Sequence, residues 1–314
     1  MEQIETGIGI QIVEWFQSWG TVVAYALAPL HYLGSEFGYL IVLPLIYWCV
    51  DKKAGKRLLI LVLGTALING CFKLWLARPR PFELAPDRID PFHAEESYGI
   101  PSGHTMFATV FGAWVAATIR RRWVSIVSVL AILAMGISRM VHGVHFPQDV
   151  LAGWLLGAVV VILFFRIEPA VTGILARLST GGQLFVVAAF VAVAFAVAMA
   201  SGDDFEAQKS ILSVTGSLAG GLIGLITEER MFGFQSTGRI AIRALRGLLG
   251  LFLVGSVYAA VSAGYYAVAG ESAGFAAAIG YVVRYAVVGF TATWLAPAVI
   301  VWSGLAPATR ALER

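Results

Sequence analysis

Apolar residues run through this chain in blocks near or above the roughly 20 residues a helix needs to cross a bilayer. Short polar or glycine-rich stretches separate them. Nine such segments are expected as spans, at about 35–50, 56–77, 102–119, 123–139, 149–166, 183–201, 210–227, 243–268 and 275–303. The first is short and ends in Trp48, Cys49 and Val50. The last two are glycine-rich and long enough to tilt or kink. Residues 21–34 are apolar but interrupted by Pro29 and His31, which predicts a re-entrant or interfacial segment. Before them, Ile8, Ile12, Trp15, Phe16 and Trp19 recur at helical spacing. That stripe predicts a helix lying in the membrane interface or packed on the bundle. The expected fold is all-α, a polytopic transmembrane helical bundle of about nine spans.

Composition agrees with a lipid environment. Of 314 residues, 59% are hydrophobic and 13% charged, against roughly 25% charged in a soluble domain. The formal charge is only +3. The basic residues sit in short loops and not on a polar domain, so no nucleic-acid partner is expected. Cys49 and Cys71 lie in or at apolar segments and read as small hydrophobes. Residues 1–20 carry no Lys or Arg, so they lack the basic region of a cleavable signal.

Charge in the connections predicts orientation, because Lys and Arg stay on the cytoplasmic side. Lys52, Lys53, Lys56 and Arg57 begin an alternating series. It continues with Arg120 to Arg122, then Arg166 and Arg177, then Arg230, Arg239, Arg243 and Arg246, then Arg310 and Arg314. The opposing connections are acidic or neutral, as at Asp203, Asp204 and Glu271. The N-terminus is therefore expected outside and the C-terminus inside. The opposing loop at 78–100 breaks the rule with Arg78, Arg80 and Arg88, an excess that catalysis is expected to explain. There is no tandem repeat. Three parts are expected: an N-terminal segment 1–34, a five-helix catalytic core 35–167, and a four-helix bundle 168–314.

Three polar clusters fall at outer helix ends in the first half. Lys73 precedes Arg80–Pro81; Pro101–Ser102–Gly103–His104 opens the third segment; Ser138–Arg139 and His142 lead to His145, Pro147 and Asp149. Lys73, Arg80 and Arg139 offer fixed positive charge and forked donors suited to phosphoryl oxygens. Ser102 stands where a helix N-cap would stand, and Gly103 lets backbone approach an anion at the helix start. His145 and Asp149 are four apart across Pro147, a residue favoured in a first helical turn. A carboxylate so placed can hold one imidazole nitrogen and leave the other to attack. His104 then remains to protonate a leaving oxygen. Taken singly, a helix-end Lys usually snorkels, Ser102 is an ordinary cap, and a membrane His is a packed one. His142 and His145 at i, i+3 could ligate a metal, yet no neighbouring Cys or carboxylate cluster completes such a site, and none is expected. Together, three cations, two histidines and a carboxylate at one membrane face are costly unless they bind something.

The spacings resemble the three-part signature of the type 2 phosphatidic acid phosphatase superfamily, KxxxxxxRP, PSGH and SRxxxxxHxxxD, over about residues 35–167. Every signature position is present. The resemblance implies that His145 is the nucleophile, Asp149 its orienting partner and His104 the general acid. It implies that Lys73, Arg80, Ser102, Gly103 and Arg139 hold phosphate, with no cofactor and no metal. It also implies a vanadate-sensitive, metal-independent phosphatase acting through a phosphohistidine on a lipid phosphate monoester or diphosphate. Lipid phosphate and membrane lipids are the expected partners. The expected location is the bacterial cytoplasmic (inner) membrane, with the active site facing outside. A lipid phosphotransferase would use the same residues, and a phospholipid flippase is the alternative from another class. A flippase, however, would carry its charge near the midplane rather than at helix ends.

The second half is less specific. Thr227 to Phe234, with Gly238, Arg239 and Arg243, forms a charged connection with a faint likeness to extended members of that family, among them the sphingosine-1-phosphate phosphatases; an ordinary basic loop is the plainer reading. After Asp149 the chain has no histidine. The second half is expected to supply a wall of a lipid groove or a homodimer contact, and no catalytic group. Gly216, Gly220, Gly221 and Gly224 suggest closely packed helices. Arg284, a charge within the ninth segment, is expected to pair with Glu228 or Glu229.

Overall fold

The computed structural model describes residues 5–202, 205–270 and 274–310. Among them the chain is all-helical, with a single isolated bridge between Phe234 and Ala308. The helices are α1 (Ile10–Gln17), α2 (Thr21–Gly34), α3 (Glu36–Leu45), α4 (Lys52–Leu76), α5 (Pro81–Leu84), α6 (Gly103–Ile119) and α7 (Arg122–Val141). They continue with α8 (Pro147–Ala176), α9 (Thr180–Ala200), α10 (Phe205–Met231), α11 (Ile240–Ala269), α12 (Phe275–Phe290) and α13 (Ala296–Trp302). Wider π-type turns extend α3 over Ile46–Val50 and join α12 to α13 over Thr291–Leu295.

Among the described residues, seven helices are long and apolar enough to cross a membrane, and eight if the bent pair Thr21–Gly34 and Gly38–Val50 forms one span. That pair is bent by 56°. The expected first span corresponds to Gly38–Val50, and the expected re-entrant segment to α2, which contains Pro29. The expected third span is α6, a shorter apolar helix of 17 residues.

The chain forms two compact units. Unit 1 comprises Met1–Tyr39 and Ile68–Glu168; unit 2 comprises Leu40–Leu67 and Pro169–Arg314. Residues 40–67 therefore group with the C-terminal helices, and residues 1–39 with the signature-bearing ones.

In unit 1, glycines let helices cross closely. A Cβ on Gly153 of α8 would lie 2.7 Å from the Ser102 carbonyl oxygen, and one on Gly157 2.8 Å from that of Met106. Both glycines therefore seat α8 directly against the start of α6, as small residues do between membrane helices. The N-terminal helix α1 does pack: Ile10 and Val13 are buried with Ile89 and Phe146. It also keeps an outward aromatic face, with Trp15 58% exposed. Arg88, one of the cations expected to serve catalysis, instead makes a two-pronged 2.7 Å pair with Glu14 of α1. It is a surface tie between the 78–100 loop and α1.

In unit 2, Gly216 and Gly220 of α10 meet backbone carbonyls of α12 where a side chain would otherwise stand. Gly224 meets Thr293 in the same way, while Gly221 has ordinary clearance. The charged connection after α10 is built into the core. Glu228 is buried, takes a 2.6 Å ion pair from Lys52 and accepts from the Phe234 backbone N–H. Lys56 pairs with Glu229 at 2.8 Å. Arg246, grouped by sequence with a cytoplasmic loop, is a fully buried residue of α11. Its guanidinium donates to the carbonyls of Trp48, Thr237 and Leu305, each at 2.8 Å. Arg284 pairs with neither Glu228 nor Glu229. It lies on α12 among tyrosines, and its Nη2 donates to the Tyr258 hydroxyl at 2.9 Å. Burial in apolar surroundings favours rings that can stack on a guanidinium. Asp203, Asp204, Glu271 and Arg314 lie outside the described residues.

Candidate active site

Four helix ends of unit 1 bring the polar clusters together: the end of α4, the start of α6, the end of α7 and the start of α8. Lys73 is in the last turn of α4. Ser102 is the N-cap of α6. Arg139 is in the last turn of α7, and Asp149 is in the first turn of α8 behind Pro147. Between α7 and α8 the chain reverses through Gly143 at φ +70. A Cβ there would also run into Gln17 and Ile89. The turn requires glycine, and it is what carries the chain from Arg139 to His145.

Asp149 orients the turn and the imidazole together. Its Oδ2 accepts from the Phe146 backbone N–H at 2.9 Å and faces His145 Nδ1 at 3.3 Å. On the other edge of the ring, His145 Nε2 lies 3.2 Å from Arg80 Nη1. A guanidinium only donates, so Nε2 carries a lone pair and Nδ1 the proton. Burial, reinforced by the charges of Arg80, Lys73 and Arg139, pushes the His145 pKa well below the usual histidine value despite Glu95. The ring is neutral at pH 7, with an unprotonated Nε2.

Arg80 is fixed by backbone. Nε donates to the Ser97 carbonyl at 2.6 Å, Nη1 to the Val144 carbonyl at 2.8 Å and Nη2 to the Ser97 hydroxyl at 3.1 Å. Lys73 Nζ donates to the same hydroxyl at 2.8 Å. Arg139 spans two imidazoles. Nη1 is 3.0 Å from His31 Nδ1 and Nη2 is 3.0 Å from His142 Nδ1. Both nitrogens must accept, so His142 carries its proton on Nε2, which donates to the Ala24 carbonyl at 3.0 Å. Burial pushes the His142 pKa down to about 4, against that hydrogen bond. His142 supports Arg139 and is stacked on Phe92. His104 stacks on His31, and its Nε2 lies 3.2 Å from the His31 carbonyl oxygen, which leaves Nδ1 facing the site.

The side chain at the centre is Glu95. Its Oε2 is 2.7 Å from Arg80 Nη2 and 3.9 Å from His145 Nε2. Its Oε1 is 3.6 Å from Arg139 Nη1 and 3.7 Å from His104 Nδ1, and has no hydrogen-bond partner among the described residues. Burial alone would raise the Glu95 pKa, but the fixed charges of Arg80 and Lys73 hold it well below the carboxylate range. A carboxylate thus occupies the point where the cations and both imidazoles converge. The Ser102 hydroxyl is fully buried and has no partner among the described residues, although its N-cap position would allow one. Gly103 follows it, with Asn69 Oδ1 3.3 Å from where its Cβ would be. His31, Glu95 and His104 each offer a ligand atom, and these atoms lie within 4.8 Å of one another. Arg80 and Arg139 face the same carboxylate and oppose a second cation there.

All eight residues proposed from the signature therefore gather in unit 1. Sequence reasoning missed His31, Glu95 and Ser97. His31 carried a signal, being an ionisable side chain within an apolar segment.

The profile of the PAP2 superfamily matches residues 54–172, and that of the PAP2 superfamily phosphatase transmembrane extension matches residues 212–309. The chain belongs to the PAP2 superfamily. It is 32% identical to Glucose-6-phosphatase 3 of Homo sapiens over 49% of this chain and 51% of that one. It is 31% identical to the Undecaprenyl-diphosphatase of Sulfolobus acidocaldarius over 37% of this chain and 56% of that one. It is 34% identical to Phosphatidylglycerophosphatase B of Bacillus subtilis over 35% and 55%. The chain thus spans about half the length of these curated relatives, all named as phosphatases. The crystal structure of a transmembrane PAP2 type phosphatidylglycerolphosphate phosphatase from Bacillus subtilis aligns with a TM-score of 0.43 at 24% identity, over 52% of this chain and 85% of that one.

Proposed function

We propose that this PAP2 protein is a membrane phosphatase that hydrolyses a lipid phosphate monoester or diphosphate through a phosphohistidine on His145. The observation that carries the reading is the Glu95 carboxylate, an internal anion held by Arg80 beside His145 Nε2. A phosphoryl group of the substrate takes its place. Arg80, Arg139 and Lys73 stabilise the equatorial oxygens, and Ser102 adds its unpartnered hydroxyl. Removing one such contact commonly costs about 10²–10³ in rate.

His145 Nε2 attacks phosphorus, and the bond to the leaving oxygen breaks. Asp149 holds Nδ1–H and stabilises the imidazolium charge that forms. The anionic substrate brings the proton that His104 Nδ1 holds in the complex; that proton passes to the leaving oxygen, while the Nε2–H of His104 stays on the His31 carbonyl. A water then attacks the phosphohistidine, loses its proton to His104 and releases phosphate. The fixed cations supply the charge that a metal would otherwise supply, so activity survives EDTA and vanadate inhibits.

Alternation of basic connections supports the N-terminus outside, the C-terminus inside and the site on the outer face of the membrane. Cysteine placed at Gly270 should react with an impermeant thiol reagent from outside, and cysteine at Arg121 only after permeabilisation. Phosphate release by purified protein tests the reading. The panel should include undecaprenyl diphosphate, phosphatidylglycerol phosphate, sphingosine 1-phosphate, phosphatidic acid and glucose 6-phosphate. Turnover confined to glucose 6-phosphate would refute the lipid assignment.

A further inference from the structure

Arg284 is an arginine in a membrane helix, 5% exposed, with no carboxylate partner among the described residues. Five tyrosine rings surround it. Its guanidinium carbon is 5.0 Å from the Tyr285 centroid, 5.1 Å from Tyr258, 5.3 Å from Tyr281, 5.4 Å from Tyr266 and 5.8 Å from Tyr265. Rings stabilise the charge but accept few of its protons. Nη2 is satisfied by Tyr258 and the Tyr266 hydroxyl also faces the guanidinium, whereas Nε and Nη1 have no hydrogen-bond partner among the described residues. A buried cation with two unmet donors is costly in an apolar medium unless an anion completes it.

Beside it, a cavity of about 440 Å³ runs between α11 and α12 and includes Arg284 in its lining. That volume lies within the range of ligand sites, about 300–1,000 Å³. Apart from Arg284 and Tyr265 the lining is apolar, and it is hollowed by small residues, Gly264, Ala276, Ala277 and Gly280. Its lip is surface: Val268 is 91% exposed and Val283 54%. An apolar trough that opens sideways and has one unsatisfied cation in its wall suits a molecule with an acidic head and a hydrocarbon body.

We propose that this groove is a binding site for an anionic phospholipid, its phosphate oxygens on Arg284 Nε and Nη1 and an acyl chain between α11 and α12. The site lies wholly within unit 2 and does not depend on the reading of the active site.

The test uses full-length protein in nanodiscs, with phosphatidylglycerol as probe, since a diester is not a phosphatase substrate, and phosphatidylcholine of the same chains as control. Native mass spectrometry should show one phosphatidylglycerol retained and no retained phosphatidylcholine. Arg284→Gln should weaken retention at least tenfold. Gly264→Leu should do the same by filling the groove, since no atom stands within 4 Å of a Cβ at that position. Arg284→Lys should fall between, keeping charge but losing the fork. Equal retention of both lipids, or retention unchanged by Gly264→Leu, would overturn the proposal even if Arg284→Gln failed to fold. Displacement of the lipid by inorganic phosphate alone would mark a simple ion site and overturn the lipid assignment.

Discussion

Replacing Glu95 with Gln should make this protein bind phosphate more tightly. In the substrate-free site the Glu95 carboxylate is held at 2.7 Å by Arg80, within 4 Å of Arg139, His104 and His145. A substrate phosphoryl group needs the same donors, so it must first displace Glu95. A hydrogen bond to a charged group contributes about 1.5–3 kcal/mol, and about 1.4 kcal/mol is tenfold in affinity. Removing the competitor should therefore lower the vanadate Ki and the KM about 10- to 100-fold, with kcat changed less than about threefold. The Ki matters because KM equals a dissociation constant only when chemistry is slow. The depressed Glu95 pKa keeps the carboxylate ionised until pH falls well below the usual carboxylate value. The ratio of wild-type to Glu95→Gln Ki should then be flat between pH 5.5 and 8. The assay is phosphate release from lipid phosphate in mixed micelles, with vanadate titrations in parallel. An unchanged or weaker Ki would refute the competition. A collapse of kcat at unchanged KM would show instead that Glu95 moves a proton in the reaction.

Two other outcomes follow from the structure. Burial and neighbouring cations lower the His145 pKa, so its ring should stay neutral as pH falls from 8 through 6.5, seen by NMR of labelled histidine; protonation at or above pH 6.5 would contradict the geometry at Arg80. Gly220→Leu should drive α10 from α12, because the Ala286 backbone stands where the new side chain must go, lowering Tm by about 5–10 °C, whereas Gly255→Leu on α11, with open space around it, should not.

The helices and the signature side chains were legible because both follow from short-range rules. Apolar length marks a span, and charge at a span's end marks an exception worth explaining. Lys73, Arg80, Ser102, His104, Arg139, His145 and Asp149 meet because each sits at a helix end that those rules locate. Glu95 and Ser97 were not legible, for they lie in an irregular loop where no period places a side chain. His31 reads in sequence, with Pro29, only as an interruption of an apolar segment, and the fold brings it to Arg139. Arg88 and Arg246 show the opposite error. Counted as loop charges, one ties the loop to Glu14 and the other is buried on backbone carbonyls. For Arg284 the sequence offered carboxylates as partners, but tertiary packing brings three tyrosines of α11 to it, Tyr258, Tyr265 and Tyr266, which no spacing rule connects.

The central claim is a covalent bond between phosphorus and His145 Nε2. Rapid-quench labelling with a phosphorus-labelled substrate, followed by mass spectrometry under alkaline conditions that preserve phosphohistidine, measures it directly. Wild-type protein should carry label on His145, His104→Asn should still form it on a substrate whose leaving group needs no acid, and His145→Ala should carry none and turn nothing over. Label retained in folded His145→Ala, or turnover within tenfold of wild type in that variant, would contradict the account.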